Sequence, residues 1–400
     1  MPQTVLYDGS LGNAPASQGW LEFGPTPFSI ATQTVGSSFT TLNTLTEGKG
    51  GYSNYRQTQP TLVNSAFPVL NRSNGYSLSF QVRINSESHS RDANGDGLVD
   101  RAGFSLIALS SDRQGIELGF WPNEIWAQQG GAGSTLFTHS ATDRAFVSTT
   151  SMLEYDLLVL GNSYYLSAND TVILKGALQN YTAFNIAGTG LPYNPYTTSN
   201  LMFVGDNTSN GASNSDIARL GVSTAKVGTA NNDTLNGTSS DNVLNGLGGN
   251  DSLNGSQGKD TLIGGDGSDK LVGGSGNDSL IGGIGSDTFL YNTNAIFTAS
   301  ATGVDTIFDL TFPDRITLDK TTFTALASVA GTGFSIASDF GIVNTTAAVE
   351  TSAARIVYNA SNGRLFYNQN GSATGLGTGA QFATLLGAPL LSTSNFVVQA

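Results

Sequence analysis

The sequence predicts an all-β protein, and three observations carry that expectation. Short alternating apolar segments separated by Gly, Asn and Ser turns run through the first 225 residues. Seven nine-residue units follow one another without insertion from Gly228 to Leu290. No amphipathic helix of convincing length is visible. The expected organisation is a β-sandwich or jelly roll over 1–225, a parallel β-roll over 226–290 and a β-rich cap over 291–400.

In the N-terminal part, residues 76–84 alternate cleanly, and 104–109, 155–160, 164–166, 171–174 and 201–204 have similar strand character. Between the first two lies Asp92-Ala93-Asn94-Gly95-Asp96-Gly97-Leu98-Val99-Asp100, whose nine positions match a calcium loop. Asp92, Asn94, Asp96 and Asp100 offer side-chain oxygens, Leu98 its carbonyl, and Gly97 the sharp turn. Position 12 is Gly103, so the bidentate carboxylate is missing, and the flanks read as strands. The expectation is a calcium loop between strands, with a solvated polar turn as the plain alternative.

Residues 116–128 read as a hairpin turning at Pro122-Asn123, which pairs Trp121 with Glu124 and Gly119 with Trp126. Ile116, Leu118, Phe120, Ile125 and Ala127 then share one face, and Glu117, Gly119, Trp121, Glu124, Trp126 and Gln128 the other. The second face is either a carbohydrate-stacking surface built on Trp121, Trp126, Glu117 and Glu124, or a pair of tryptophans covered by a neighbouring loop or subunit. In this register Glu117 and Glu124 stand roughly 13 Å apart at ~3.3 Å per residue, beyond the ~5 to 9.5 Å of a glycosidase pair. His89 and His139, the two histidines, are not in H-E-x-x-H, and G-x-S-x-G does not occur, so no catalytic set is assigned.

The units read GTANNDTLN, GTSSDNVLN, GLGGNDSLN, GSQGKDTLI, GGDGSDKLV, GGSGNDSLI and GGIGSDTFL. Position 6 is Asp233, Asn242, Asp251, Asp260, Asp269, Asp278 and Asp287; position 8 is large and apolar, from Leu235 to Phe289. One apolar residue in nine builds only a thin seam, with a short strand per unit and a tight turn between strands. Glycines permit positive φ and let carbonyls converge, and the aspartate adds charged oxygen, which together make the hard, all-oxygen environment that suits Ca²⁺. The seven units carry eight Asp and two Lys, 2 − 8 = −6, a stacked charge that repels itself without a cation. Thr229, Thr238, Leu247 and Ser256 replace the second glycine in the first four units, so the tightest sites are expected from Gly264 onward, at Gly264, Gly265, Gly267, Gly273, Gly274, Gly276, Gly282, Gly283 and Gly285.

These units resemble the repeats of the RTX (repeats-in-toxin) family. The resemblance implies that two turns make one coil of the roll and that a calcium ion sits between turns stacked on the same side. Residues 304–400, including Val304-Asp305-Thr306-Ile307 and Asp314-Arg315-Ile316, resemble the region that follows the repeats in secreted RTX proteins. In that family such a C-terminus is an uncleaved signal read by a type I secretion channel, and the strands before it cap the open end of the roll. A hairpin is expected there, with 355–358 and 364–367 flanking Asn362-Gly363. The opening Leu6-Tyr7-Asp8-Gly9-Ser10-Leu11-Gly12 and Gln18-Gly19-Trp20-Leu21 resemble anchor-type sandwich domains of bacterial surface proteins, which names no activity.

Composition bounds the partners. The net charge of −13 argues against nucleic acid and anionic membranes and fits a protein that collects cations. Cysteine is absent, so disulfides and thiolate metal sites are excluded, and calcium takes over the stapling role. The N-terminus reads as neither a signal peptide nor a transmembrane segment. Calcium sites of this kind stay empty at cytoplasmic calcium levels, so the expected location is extracellular or at the cell surface. The role expected there is non-catalytic, in adhesion or a matrix, with polysaccharide or the cell surface as a partner. A secreted polysaccharide-degrading enzyme with its site on the jelly roll is the competing expectation.

Overall fold

The computed structural model describes residues 3–24, 31–45, 49–56, 58–89, 92, 95, 97–132, 136–187, 193–208 and 211–400. Strand makes up 47% and helix 6%, which settles the class as all-β. The chain divides into two compact units, 4–224 and a second that contains 225–400.

The first unit is a sandwich of two antiparallel sheets. One sheet runs in the order Thr171–Ala177, Ser163–Ala168, Leu153–Leu160, Tyr76–His89, Gly211–Val227, with Thr4–Asp8 and Thr40–Asn43 along the far side of the last strand. The other has the order His139–Ala145, Glu124–Gln128, Gly115–Trp121, Ser105–Leu109, Met202–Asp206, Gly50–Ser53, Glu22–Gly24. Alternation places Leu78, Phe80, Val82 and Tyr155 of one sheet against Leu118, Phe120, Ile125 and Ala127 of the other. Phe120 meets Phe80 and Tyr155 edge to face at centroid distances of 6.0 and 5.6 Å, bridging the sheets.

The hairpin register is the expected one: Trp121 pairs with Glu124, Phe120 with Ile125 and Gly119 with Trp126. Its apolar face lies in the sandwich core. The long strand Gly211–Val227 has no clear signature in sequence. Its small and polar residues alternate weakly, yet Ser213, Ser215, Asp216 and Ile217 are buried because strands pair with it along both edges.

In the second unit, strands eighteen residues apart pair in parallel, so two units make one coil. Thr234–Asn236, Ser252–Gln257, Lys270–Ser275 and Thr288–Tyr291 form one sheet. Val243–Gly248, Thr261–Gly267 and Ser279–Gly285 form the other. The position-8 residues stack in two columns, Leu235, Leu253, Leu271, Phe289 and Leu244, Leu262, Leu280, and all are buried.

Both columns continue beyond the repeats. Ile316 and Phe396 extend the first and Ile307 and Leu385 the second, each through a parallel pairing. Asp305-Thr306-Ile307-Phe308 and Asp314-Arg315-Ile316-Thr317 therefore serve as positions 6 to 9 of two further turns, with the spacing lengthened from 18 to 27 residues. The expected hairpin forms between Ile356–Asn359 and Arg364–Tyr367. Its four-residue loop holds the expected Asn362-Gly363: the N–H groups of both return to the Asn359 carbonyl, and Gly363 takes φ +73°.

Phe120→Ala should lower the unfolding free energy by about 3–5 kcal/mol, as expected for emptying a fully buried aromatic site. Urea unfolding followed by near-ultraviolet circular dichroism checks this; a loss below about 1 kcal/mol would mean the sandwich core is not closed over this ring.

Candidate calcium centre

The coil geometry gives each position-6 aspartate two different oxygens. Oδ1 accepts from the backbone N–H of the same position one coil earlier: Asp251 N–H donates to Asp269 at 2.7 Å, Asp260 to Asp278 at 2.8 Å and Asp269 to Asp287 at 2.9 Å. Asp305 and Asp314 continue this ladder, receiving the N–H groups of Asp278 and Asp287 at 3.1 and 3.0 Å. The other oxygen, Oδ2 of Asp251, Asp260, Asp269, Asp278 and Asp287, is buried with no hydrogen-bond partner. Five such oxygens in register are what a hard cation requires, and burying them bare is otherwise costly.

The first glycine of each turn makes room for them. A Cβ on Gly264 would lie 2.5 Å from the Gly282 carbonyl oxygen and closer still to Asp269 Oδ2. Gly255 stands in the same relation to the Gly273 carbonyl and Asp260, and Gly246 to the Gly264 carbonyl and Asp251. A carboxylate oxygen and a carbonyl from the next coil thus converge on one glycine face. Gly273 and Gly282 likewise face Asp278 Oδ2 and Asp287 Oδ2.

The glycines at position 2, Gly265, Gly274 and Gly283, hold φ of 111°, 110° and 101°, and those at position 4, Gly267, Gly276 and Gly285, hold 139°, 127° and 150°, so the turn is left-handed at these two positions. Leu247 and Ser256 keep this turn at φ 74° and 84°, at the cost that a side chain pays there. Among the described residues no three His, Asp or Glu side chains cluster as a metal site. At Gly246, Gly255 and Gly264 the oxygens that converge are one carboxylate oxygen and one backbone carbonyl.

The first two turns differ. Asp233 Oδ2 accepts from the N–H and hydroxyl of Thr229 at 2.6 and 2.8 Å, and Asn242 Oδ1 accepts from those of Thr238 at 2.6 and 3.2 Å. Asp233, expected among the ligands, has its outer oxygen engaged in this way.

In the sandwich, Asp92 Oδ1 and Oδ2 accept from the N–H groups of Gly95 and Gly97 at 2.6 and 2.9 Å, which curls the loop around its first carboxylate. Asp100 is buried and receives the His139 N–H at 3.3 Å. Asn94 and Asp96 lie outside the described residues.

The polar face of the 115–128 hairpin is covered rather than open. Trp126 is 0% exposed, packed against His139 at 4.4 Å and Trp121 at 4.4 Å, while His89 stacks on the half-buried Trp121 at 4.1 Å. The expected stacking surface at Trp126 is thereby corrected. The strand His139–Ala145 pairs beside Trp126 and lays the His139 ring on it.

The two glutamates sit in separate networks. Glu117 is fully buried, paired with Arg101 at 3.0 Å and bonded by Tyr196 at 2.8 Å and Asn207 at 3.0 Å. Glu124 meets His139 at 3.1 Å and Arg144 at 3.5 Å. Local sequence pattern does not connect either histidine with the tryptophans, because His139 reaches Trp126 by strand pairing and His89 reaches Trp121 from the opposite sheet.

A family profile described as the RTX calcium-binding nonapeptide repeat (4 copies) matches residues 227–262 and 254–289. This segment of the chain is an array of RTX repeats, and its ion is Ca²⁺. No curated protein matches the chain. Among solved structures, the chain is similar to the carbohydrate esterase vb_24B_21 from Shiga toxin-encoding bacteriophage phi24B, at 10% identity over 55% of this chain and 98% of that one, with a TM-score of 0.35. It is also similar to the carbohydrate recognition domain of Emp46p, at 10% identity over 55% and 95%, with a TM-score of 0.31. Neither assigns an activity to this chain.

Without metal, burial pushes the Asp260 carboxyl up to about 8, reinforced by the Asp278 charge and then by Asp241. Burial likewise raises Asp287 to about 6, and raises Asp269 and the Asp278–Asp305 pair. These folded-state values lie above the unfolded ~3.9. Their contribution to the calcium-free roll is thus present below about pH 4 and is lost as pH rises towards 8. Calcium needs the ionised form, so its affinity runs the opposite way. Calcium-free protein should retain more strand circular dichroism at pH 5 than at pH 8, and calcorimetric titration should show tighter binding at pH 8 with proton release at pH 6.5. Equal affinity at both pH values would show that the carboxylates are not the ligands.

Proposed function

We propose that this is an exported calcium-binding protein whose roll folds on the ion outside the cell. The observation that carries this reading is the set of five buried, unpartnered carboxylate oxygens in two columns, Asp251, Asp269 and Asp287 in one and Asp260 and Asp278 in the other. Their co-ligands are backbone carbonyls of the glycine turns, and those of Gly264, Gly273 and Gly282 share a glycine face with the carboxylates of the preceding coil. Calcium supplies the positive charge that a stack of buried carboxylates lacks. Asp92, Asn94, Asp96, Leu98 and Asp100 are proposed as a separate calcium loop, which the curling of Asp92 over Gly95 and Gly97 supports.

Export is supported by the chemistry of the ion and by the C-terminal segment. Sites of extracellular calcium modules have affinities of roughly 10⁻⁴–10⁻³ M, far above cytoplasmic calcium. Residues 304–400 resemble the segment that a type I channel reads, and their strands continue both sheets of the roll. Among the described residues no helix is long and apolar enough to cross a membrane. For the sandwich the reading is a non-catalytic role in adhesion or a matrix, at the cell surface or on extracellular polysaccharide. The engagement of Glu117 and Glu124 in ion pairs suits a scaffold for such a surface.

Full-length protein should gain strand circular dichroism on adding millimolar calcium and lose it in excess chelator. Replacing both Asp269 and Asp278 by alanine should weaken calcium binding at least tenfold, and Asp92→Ala should remove one ion from the calorimetric stoichiometry. A strand spectrum indifferent to chelator would reject the folding model.

In a host carrying the cognate channel, deleting 341–400 should hold the protein in the cytoplasm while the full chain reaches the medium. Equal release of both forms, without lysis, would reject the C-terminal export signal.

A further inference from the structure

The seven turns fall into two structural kinds, and the division follows a single side chain. From the third unit on, position 2 is left-handed whether it is glycine or not, since Leu247 and Ser256 share the positive φ of Gly265, Gly274 and Gly283. Position 4 is a left-handed glycine in each of these turns, from Gly249 and Gly258 to Gly285. In each, the position-6 Oδ2 is buried and bare.

The first two turns change at both positions together. Thr229 and Thr238 stand at position 2, and Asn231 and Ser240 at position 4, and none of the four has positive φ. The threonine hydroxyl receives the position-4 N–H, at 3.1 Å from Asn231 and 3.3 Å from Ser240, and passes its own hydrogen to the position-6 side chain. The threonine N–H donates to the same oxygen at 2.6 Å in both turns. An oxygen already receiving two donors has its lone-pair directions filled, and the donor hydrogens would face any approaching cation. The second turn also carries Asn242, a neutral amide, where the others carry a carboxylate.

We propose that the first coil, residues 228–245, is a calcium-independent start of the roll, in which Thr229 and Thr238 fill the place that the ion takes in later turns. This rests on the reading of the later aspartates as calcium ligands. The coil supplies what the next one needs without metal: the N–H groups of Asp233 and Asn242 hold Oδ1 of Asp251 and Asp260 at 2.7 Å each, and their carbonyls accept from Ser252 and Thr261 at 2.9 and 2.8 Å. Ion-dependent folding then adds coils to a surface that is already ordered.

The test is calcium stoichiometry of the full-length protein by equilibrium dialysis, with strand circular dichroism in parallel. Asp233→Asn should leave the number of bound ions unchanged, whereas Asp269→Asn should lower it by one. Restoring the second turn with Thr238→Gly, Ser240→Gly and Asn242→Asp together should add one ion. A loss of one ion in Asp233→Asn equal to that in Asp269→Asn would overturn the proposal, as would a folded triple variant with unchanged stoichiometry. If the triple variant does not fold, the Asp233 and Asp269 comparison decides alone. Should the unaltered protein bind no calcium in the roll, it is the underlying reading of the later aspartates that fails.

Discussion

Each of the last five turns of the roll buries an aspartate whose two oxygens meet opposite fates. One is tied to the backbone of the previous coil, so the side chain cannot swing to solvent. The other is held inside the turn with nothing to bond. Removing a charge from water without a partner costs several kcal/mol or forces the group to take up a proton, and the raised Asp260 carboxyl shows that tendency. Calcium is the alternative that keeps the charge. The seam inside the roll is only one large side chain deep per strand, with Leu262 and Leu271 as typical members, so little other cohesion is available to offset the repulsion.

The two compact units solve the same problem of holding strands together by different means. The sandwich has a broad core in which aromatic rings such as Phe80, Phe120 and Tyr155 bridge the sheets. Three of its buried carboxylates are paired inside the protein: Glu117 with Arg101, Asp216 with Arg83 at 2.6 Å and Glu124 with His139. The roll has only a narrow core and two lysines against eight aspartates, and cysteine is absent from the chain. Its ends are closed by other devices. At the start, threonine hydroxyls stand in for an ion. Beyond the repeats, the chain returns through 381–385 and 396–399 to continue both sheets with larger side chains, among them Phe382 and Phe396. A parallel stack otherwise ends in an open strand edge.

The roll was legible from sequence because a nine-residue period forces every unit into the same environment, so position 8 had to point inward and position 6 into the turn. The hairpin at 115–128 was legible for a similar reason. Alternation at period two, with a fixed turn, leaves one register that keeps Glu124 off the apolar face, and that register is the one observed. Tertiary structure alone decided what covers the other face. Whether Trp126 is open or buried depends on the strand His139–Ala145 and on His139, which local pattern cannot place beside it. The same holds for the continuation of the roll through Asp305 and Asp314, where a nine-residue lengthening hides the period. It holds as well for the Thr229 and Thr238 turns: sequence marks them as departures from glycine, but hydrogen-bond geometry shows that the substituted side chain occupies the ligand oxygen. Periodic, local constraints are written in residue spacing, whereas the partner of a buried polar atom is chosen by chain segments that meet only on folding.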